Sequence, residues 1–165
     1  MLIQGKARWA KIIGEPSWGY ENKFKEWSID VYPDEATIKK LKDEGLGKKL
    51  KDKGNGTYIT FKRKELKVDG TPNTPIRIVD HHGNVLQQGN PTDANYVKYT
   101  GPKIGNDSTV NVNFVINEFS KTEKNANILS LQIWDLVPYE GGEFPTREDG
   151  PSDQSEDWSA EAEAA

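Results

Sequence analysis

Apolar and polar residues alternate with a period of two through most of this chain. Gly5, Ala7 and Trp9 alternate with Lys6, Arg8 and Ala10, and Trp27, Ile29 and Val31 with Glu26, Ser28 and Asp30. Ile59 and Phe61 alternate with Tyr58, Thr60 and Lys62, and Ile76 and Ile78 flank Arg77. Val110, Val112, Phe114 and Ile116 alternate with asparagines, and Leu129, Leu131 and Ile133 with Ser130, Gln132 and Trp134. Successive strand side chains point to opposite faces, so each run has one apolar and one polar face. That is the pattern of antiparallel strands half-buried against a common core. One helix interrupts them: Pro33 and Asp34 start it, Ile38 and Leu41 give helical spacing, and Gly45 and Gly47 end it. Turns fall at Asn55-Gly56 and at His82-Gly83-Asn84. Five or six strands and one helix in about 140 residues predict an all-β Greek-key barrel, with the OB-fold leading and a sandwich as the alternative.

Charge divides the chain where the alternation stops. Residues 140–165 carry nine acids and one base, Arg147, while residues 1–139 carry 21 Lys and Arg against 17 Asp and Glu. The net charge of −4 therefore combines a body of +4 with a tail of −8. The terminal run has too few apolar side chains to offset the entropy of ordering. The expectation is a folded domain of residues 1–139 and a disordered acidic tail of residues 140–165. Such a tail can be merely solubilising, but behind a basic body it is also a polyanion that can compete for the body's ligand.

Several function classes lose their footing. There is no cysteine, hence no disulfide, thiolate metal site or cysteine nucleophile. No apolar run is long enough for a membrane helix, and MLIQGKARWAKII lacks the order of a secretory signal. A cytoplasmic protein without a membrane partner is expected. His81 and His82 are adjacent: in a strand they would point to opposite faces, and in a hairpin turn a solvated pair is the ordinary reading, so no metal site is expected. No P-loop, dinucleotide fingerprint, GxSxG or HExxH occurs. Asp135, the one acid at a convincing strand end, reads as a sheet-edge residue. No catalytic residue and no cofactor are expected.

Binding remains. Holding a single nucleic-acid strand without regard to sequence needs cations along the phosphates and aromatic faces on which bases stack. Lys6, Arg8 and Lys11 lie on the polar side of the first strand, and Trp18 and Tyr20 in the loop EPSWGYEN. Tyr58, Lys62 and Lys64 belong to a later strand and Arg77 to the next. Tyr96 and Lys98 sit in ANYVKYTGPK, and Phe119 and Lys121 at the tip of the last hairpin, NEFSKTEKNAN. Trp9, Trp27, Phe61 and Phe114 have the parity of core residues. Trp134 has the place of a subunit contact or a barrel-end cover. The lysines from Lys39 to Lys53 read as a solvated face outside the site. The rival is a protein-interaction or virion-structural β-domain with a solubilising tail.

The order of these segments resembles the OB-fold single-stranded DNA-binding proteins of tailed bacteriophages, most closely the short-tailed replication type. The segments are WAKIIGEPSWGY, FKEWSIDVYPDEATIKKL, NGTYITFKRK, TPIRIVDHHGNVL and the closing PKIGNDSTVNVNFVINEFSKTEKNANILSLQIWDLV, followed by the acidic tail. The resemblance implies an OB-fold that binds single-stranded DNA in the bacterial host cytoplasm during phage replication and recombination. It also implies a homodimer, and tail contacts to the polymerase and helicase-primase through Glu148, Asp149, Asp153, Glu156, Asp157 and Trp158, with Phe144 as the second choice of aromatic. Phe119 takes the family's stacking position, Lys62 and Lys64 its basic strand, and Arg77 the strand after it. Two departures stand out: Lys121 replaces a second aromatic at the hairpin tip, and the tail ends AEAEAA.

Overall fold

The alternating runs form strands. The computed structural model describes residues 1–19, 22–118, 120 and 123–138. Among them are β1 (Leu2–Lys11), β2 (Ser17–Trp18), β3 (Lys25–Pro33), β4 (Leu50–Asp52) and β5 (Thr57–Lys64), then β6 (Arg77–Val79), β7 (Val85–Gln87), β8 (Thr109–Glu118) and β9 (Lys124–Asp135). Helix α1 (Glu35–Asp43) lies between β3 and β4. The tail of residues 140–165 lies outside the described residues, as do Tyr20, Phe119 and Lys121.

Five long strands close on themselves. β1 pairs antiparallel with β3 and β8, β3 with β5, and β8 with β9, while β5 meets β9 in parallel at Lys62 and Asn127. The order around the wall, β1-β3-β5-β9-β8, is that of a five-stranded Greek-key barrel, the OB-fold, rather than of two stacked sheets. β4 adds an edge outside β5. β6 runs beside Ser130–Gln132 of β9, beyond the point where β5 leaves it, and carries β7.

The inward residues behave as alternation predicts over most of the wall. Trp27, Ile29, Val31, Ile59, Phe61, Val110, Val112 and Phe114 are all buried, and the Phe61 and Phe114 rings meet at 4.8 Å. α1 starts where expected: the Asp34 carboxylate accepts from the Thr37 N–H at 2.8 Å. It adds Leu41, and the turn after it Leu46, to the core. Lys124 Nζ on β9 donates to the Glu44 carbonyl at the helix end, at 3.2 Å.

Parity fails where strands bulge. In β1, Arg8 pairs with Asp30 and Lys11 with Ser28, so Trp9 and Ala10 together oppose Ile29. Ala10 packs against the core, whereas Trp9, expected inside, takes φ 51° and is 51% exposed. In β9, Asn113 pairs with Ser130 but Phe114 with Ile128, leaving Leu129 unpaired. Leu129 is therefore exposed, not inward, and Ile128 takes its place in the core. The same kind of slip between Asp135 and Ile133 leaves Trp134 unpaired and exposed.

Candidate nucleic-acid interface

The outward residues of β1, β3 and β5 share one surface. Pairing sets Glu26 opposite Lys64, Ser28 opposite Lys62 and Asp30 opposite Thr60. β1 adds Lys6 beside Tyr32, Arg8 beside Asp30 and Lys11 beside Ser28. Lys62, Lys64, Lys6 and Lys11 are exposed and Arg8 half-buried. From Tyr58 to Lys64 the surface spans about 20 Å along the strand, at about 3.3 Å per residue.

Two ends of this surface carry aromatic rings. At the β2 end, Trp18 is 59% exposed. Lys25 Nζ lies 5.2 Å from its ring and Lys64 Nζ 4.8 Å from that of Phe24. Trp18, Phe24 and Leu66, with Lys23, Lys25, Lys64 and Glu65, line a cleft of about 240 Å³. A cleft with aromatic walls and lysines around it suits a flat base attached to a phosphate. At the opposite end, the Tyr32 and Tyr58 rings meet at 5.1 Å, with Arg8 5.8 Å from the first and Lys53 6.0 Å from the second.

Acids temper the cations. Lys62 Nζ lies 3.6 Å from Oε2 of the buried Glu26, and Arg8 pairs with Asp107 at 3.3 Å. Asp30 sits mid-surface, accepting from the Thr60 hydroxyl at 2.6 Å. Burial raises its pKa above the ordinary carboxylate value, against the Thr60 hydrogen bond and the pull of Lys53, Lys51 and Lys11. Burial likewise raises the pKa of Tyr32.

The structure therefore gathers Lys6, Arg8, Lys62, Lys64 and Trp18 on or beside one surface. Tyr58, expected to offer its ring outward, is 4% exposed beneath Tyr32 and Lys53, so its face is not free to stack. Arg77 stands elsewhere: its Nε donates to Gln88 at 2.9 Å, and it lines a shallow pocket with Leu2, Asn111, Asn113, Ser130 and Gln132 over β8 and β9. Tyr96 and Lys98 lie beyond β7 in a loop held by the Gln88–Val97 bridge, outside the three-strand surface. Sequence reasoning missed Tyr32, Phe24 and Lys25, and set Lys51 and Lys53 aside as solvent-facing. β4 brings Lys51 into register with Tyr58. Its alternation is only three residues long, too short to separate from a lysine-rich linker. Among the described residues no group of three His, Cys, Asp or Glu could hold a metal, and no helix is long and apolar enough to cross a membrane.

No family model matches the sequence, and no curated protein does. Among solved structures, the chain is similar to gp2.5, a single-stranded DNA binding protein encoded by bacteriophage T7. The TM-score is 0.58 at 15% identity, covering 89% of this chain and 97% of that one. It is also similar to the single-stranded DNA-binding protein from bacteriophage Enc34, with a TM-score of 0.48 at 17% identity over 89% of this chain and 86% of that one. The Enc34 protein in complex with ssDNA gives a TM-score of 0.48 at 17% identity, over 83% of this chain and 86% of that one. At 15% identity the T7 likeness speaks to the fold, and at that level the resemblance read from the order of the segments holds.

Proposed function

We propose that the chain binds single-stranded DNA with little sequence preference, as a bacteriophage replication and recombination protein acting in the host cytoplasm. The observation that carries this reading is the β1–β3–β5 surface, where Arg8, Lys11, Lys51, Lys53, Lys62 and Lys64 flank a path with Trp18 and Phe24 at one end and Tyr32 at the other. The strand face and adjoining loop of an OB-fold are where that architecture takes oligonucleotides. Cations would neutralise phosphates with release of counterions, and exposed rings would stack bases at about 1–3 kcal/mol each. The T7 protein of similar fold is itself a single-stranded DNA binding protein.

In this reading residues 1–139 are the binding domain, and residues 140–165 are a tail that lies against the cationic surface until DNA displaces it. The freed tail then recruits polymerase and helicase-primase through Glu148, Asp149, Asp153, Glu156, Asp157 and Trp158. Phe119, Lys121 and Tyr20, which lie outside the described residues, would complete the contacts. The proposed homodimer would use the outer face of β8 and β9, where Val115, Leu129 and Trp134 are exposed.

The test is a titration with oligo-dT at several salt concentrations, followed by tryptophan fluorescence. Strong quenching is expected, with affinity falling steeply as salt rises. A duplex or RNA of equal length that competes as well as the oligonucleotide would remove the single-strand preference. Absence of binding at low salt, with and without the tail, would overturn the reading.

A further inference from the structure

We infer that Trp9 is a base-stacking platform, presented to a single strand by the β-bulge of β1. This rests on the single-stranded DNA reading and adds to it a residue that alternation assigns to the core. A tryptophan normally leaves water wherever its backbone allows. Here the backbone does the reverse. Trp9 adopts φ 51°, a left-handed conformation that L side chains rarely occupy, and is half exposed. Ala10, the other residue of the bulge, takes the inward position against the core.

The distortion is held from outside the strand. The Trp9 N–H donates to Oδ1 of Asn106 at 3.0 Å. The neighbouring Asp107 N–H donates to the Ala7 carbonyl at 2.7 Å, and the Asp107 carboxylate pairs with Arg8 at 3.3 Å. Asp107 is itself left-handed, at φ 73°. Two residues in unfavourable backbone conformations, on two segments joined by these bonds, serve to turn one indole outward. Strain of this kind persists where the surrounding structure enforces it and concentrates at binding sites. The place is apt: Trp9 lies between Arg8 and Lys11, whose strand partners Asp30 and Ser28 belong to the surface proposed for the phosphates. An indole between two cations matches the alternation of base and phosphate along an unstacked strand.

The experiment uses the full chain with oligo-dT and with an abasic oligonucleotide of equal length and charge. Trp9→Ala is expected to weaken dT binding by about tenfold, leave abasic binding unchanged and keep the salt dependence of the wild type, since no phosphate contact is removed. Trp9→Phe should keep most of the affinity. Trp9→Gly suits the left-handed backbone, so it should fold as the wild type does by thermal melting and still show the loss on dT. Equal loss on both oligonucleotides would make Trp9 a structural support and overturn the inference, as would unchanged dT binding by Trp9→Ala. Failure of the wild type to bind either oligonucleotide would overturn the single-stranded DNA reading instead.

Discussion

A carboxylate in the middle of a surface meant for a polyanion opposes binding unless its proton occupancy can change, and Asp30 is in that position. Burial raises its pKa above the unfolded value of 3.8, against Thr60, Lys53, Lys51 and Lys11. Between those two pKa values the native state holds a proton that the unfolded chain has released. Asp30's contribution to stability is thus fully present below the unfolded pKa and lost as pH rises through the folded one. Phosphates brought alongside would raise the folded value further, so binding takes up a proton and affinity grows as pH falls. The expected result for Asp30→Asn is tighter oligo-dT binding at neutral pH and a flatter pH dependence than wild type on the side above the ordinary carboxylate value. A pH profile parallel to the wild type's would exclude Asp30 as the titrating group. Gly5 shows a different single-residue demand. A Cβ there would lie 2.7 Å from the Tyr32 carbonyl oxygen, where β1 crosses β3. Gly5→Ala should cost about 1–3 kcal/mol in urea unfolding. Nothing in the alternation distinguishes Gly5 from any other small inward residue, because the constraint comes from a backbone 28 positions away in sequence at Pro33 and its neighbours.

At the level of elements, long regular strands were legible and irregular ones were not. β8 keeps strict parity, and β3 and β5 depart from it only where Glu26 and Tyr58 are buried beside an inward neighbour, so their core faces follow from a period of two. β1 carries a warning: Ala7 within it and Ile12 just beyond its end are both buried but five residues apart, a spacing that would put them on opposite faces of an unbroken strand. That odd spacing was the signal for the bulge that exposes Trp9. β4 gave no such signal, and Lys51 within it and Lys53 just after it yield a test. Lys51→Gln and Lys53→Gln should each weaken binding across all sequences and reduce the salt slope by about one. Unchanged slopes would return that segment to the solvated face first read from the sequence. The loop between β1 and β3 depends on a polar residue no pattern marks. Buried Gln87 donates to the Ile12 and Ile76 carbonyls at 2.9 and 2.8 Å and accepts from the Gly14 N–H at 2.8 Å. Gln87→Ala leaves three groups unpaired, so a loss of about 3 kcal/mol is expected in denaturant unfolding.

For the whole molecule the governing quantity is the opposition of charge between a +4 body and a −8 tail. Composition alone reveals that opposition, whereas only the fold shows that Arg8, Lys11, Lys51, Lys53, Lys62 and Lys64, scattered along the sequence, meet on one side of a barrel. If the tail occupies that side in the absence of DNA, an incoming strand displaces protein carboxylates as well as small ions. Fewer counterions are then released per binding event than the lysines alone would dictate. Removing residues 140–165 should therefore both tighten oligo-dT binding at low salt and steepen the fall of affinity with salt. The two affinity curves should converge above about 0.2 M, where screening shortens the reach of each charge to less than about 8 Å. A peptide of residues 140–165 added to the truncated protein should restore weaker binding at low salt and have little effect at high salt. Equal affinities for full-length and truncated chains at the lowest salt would leave the tail without a competing role, while the binding surface on β1, β3 and β5 would stand or fall by its own lysine and Trp9 variants.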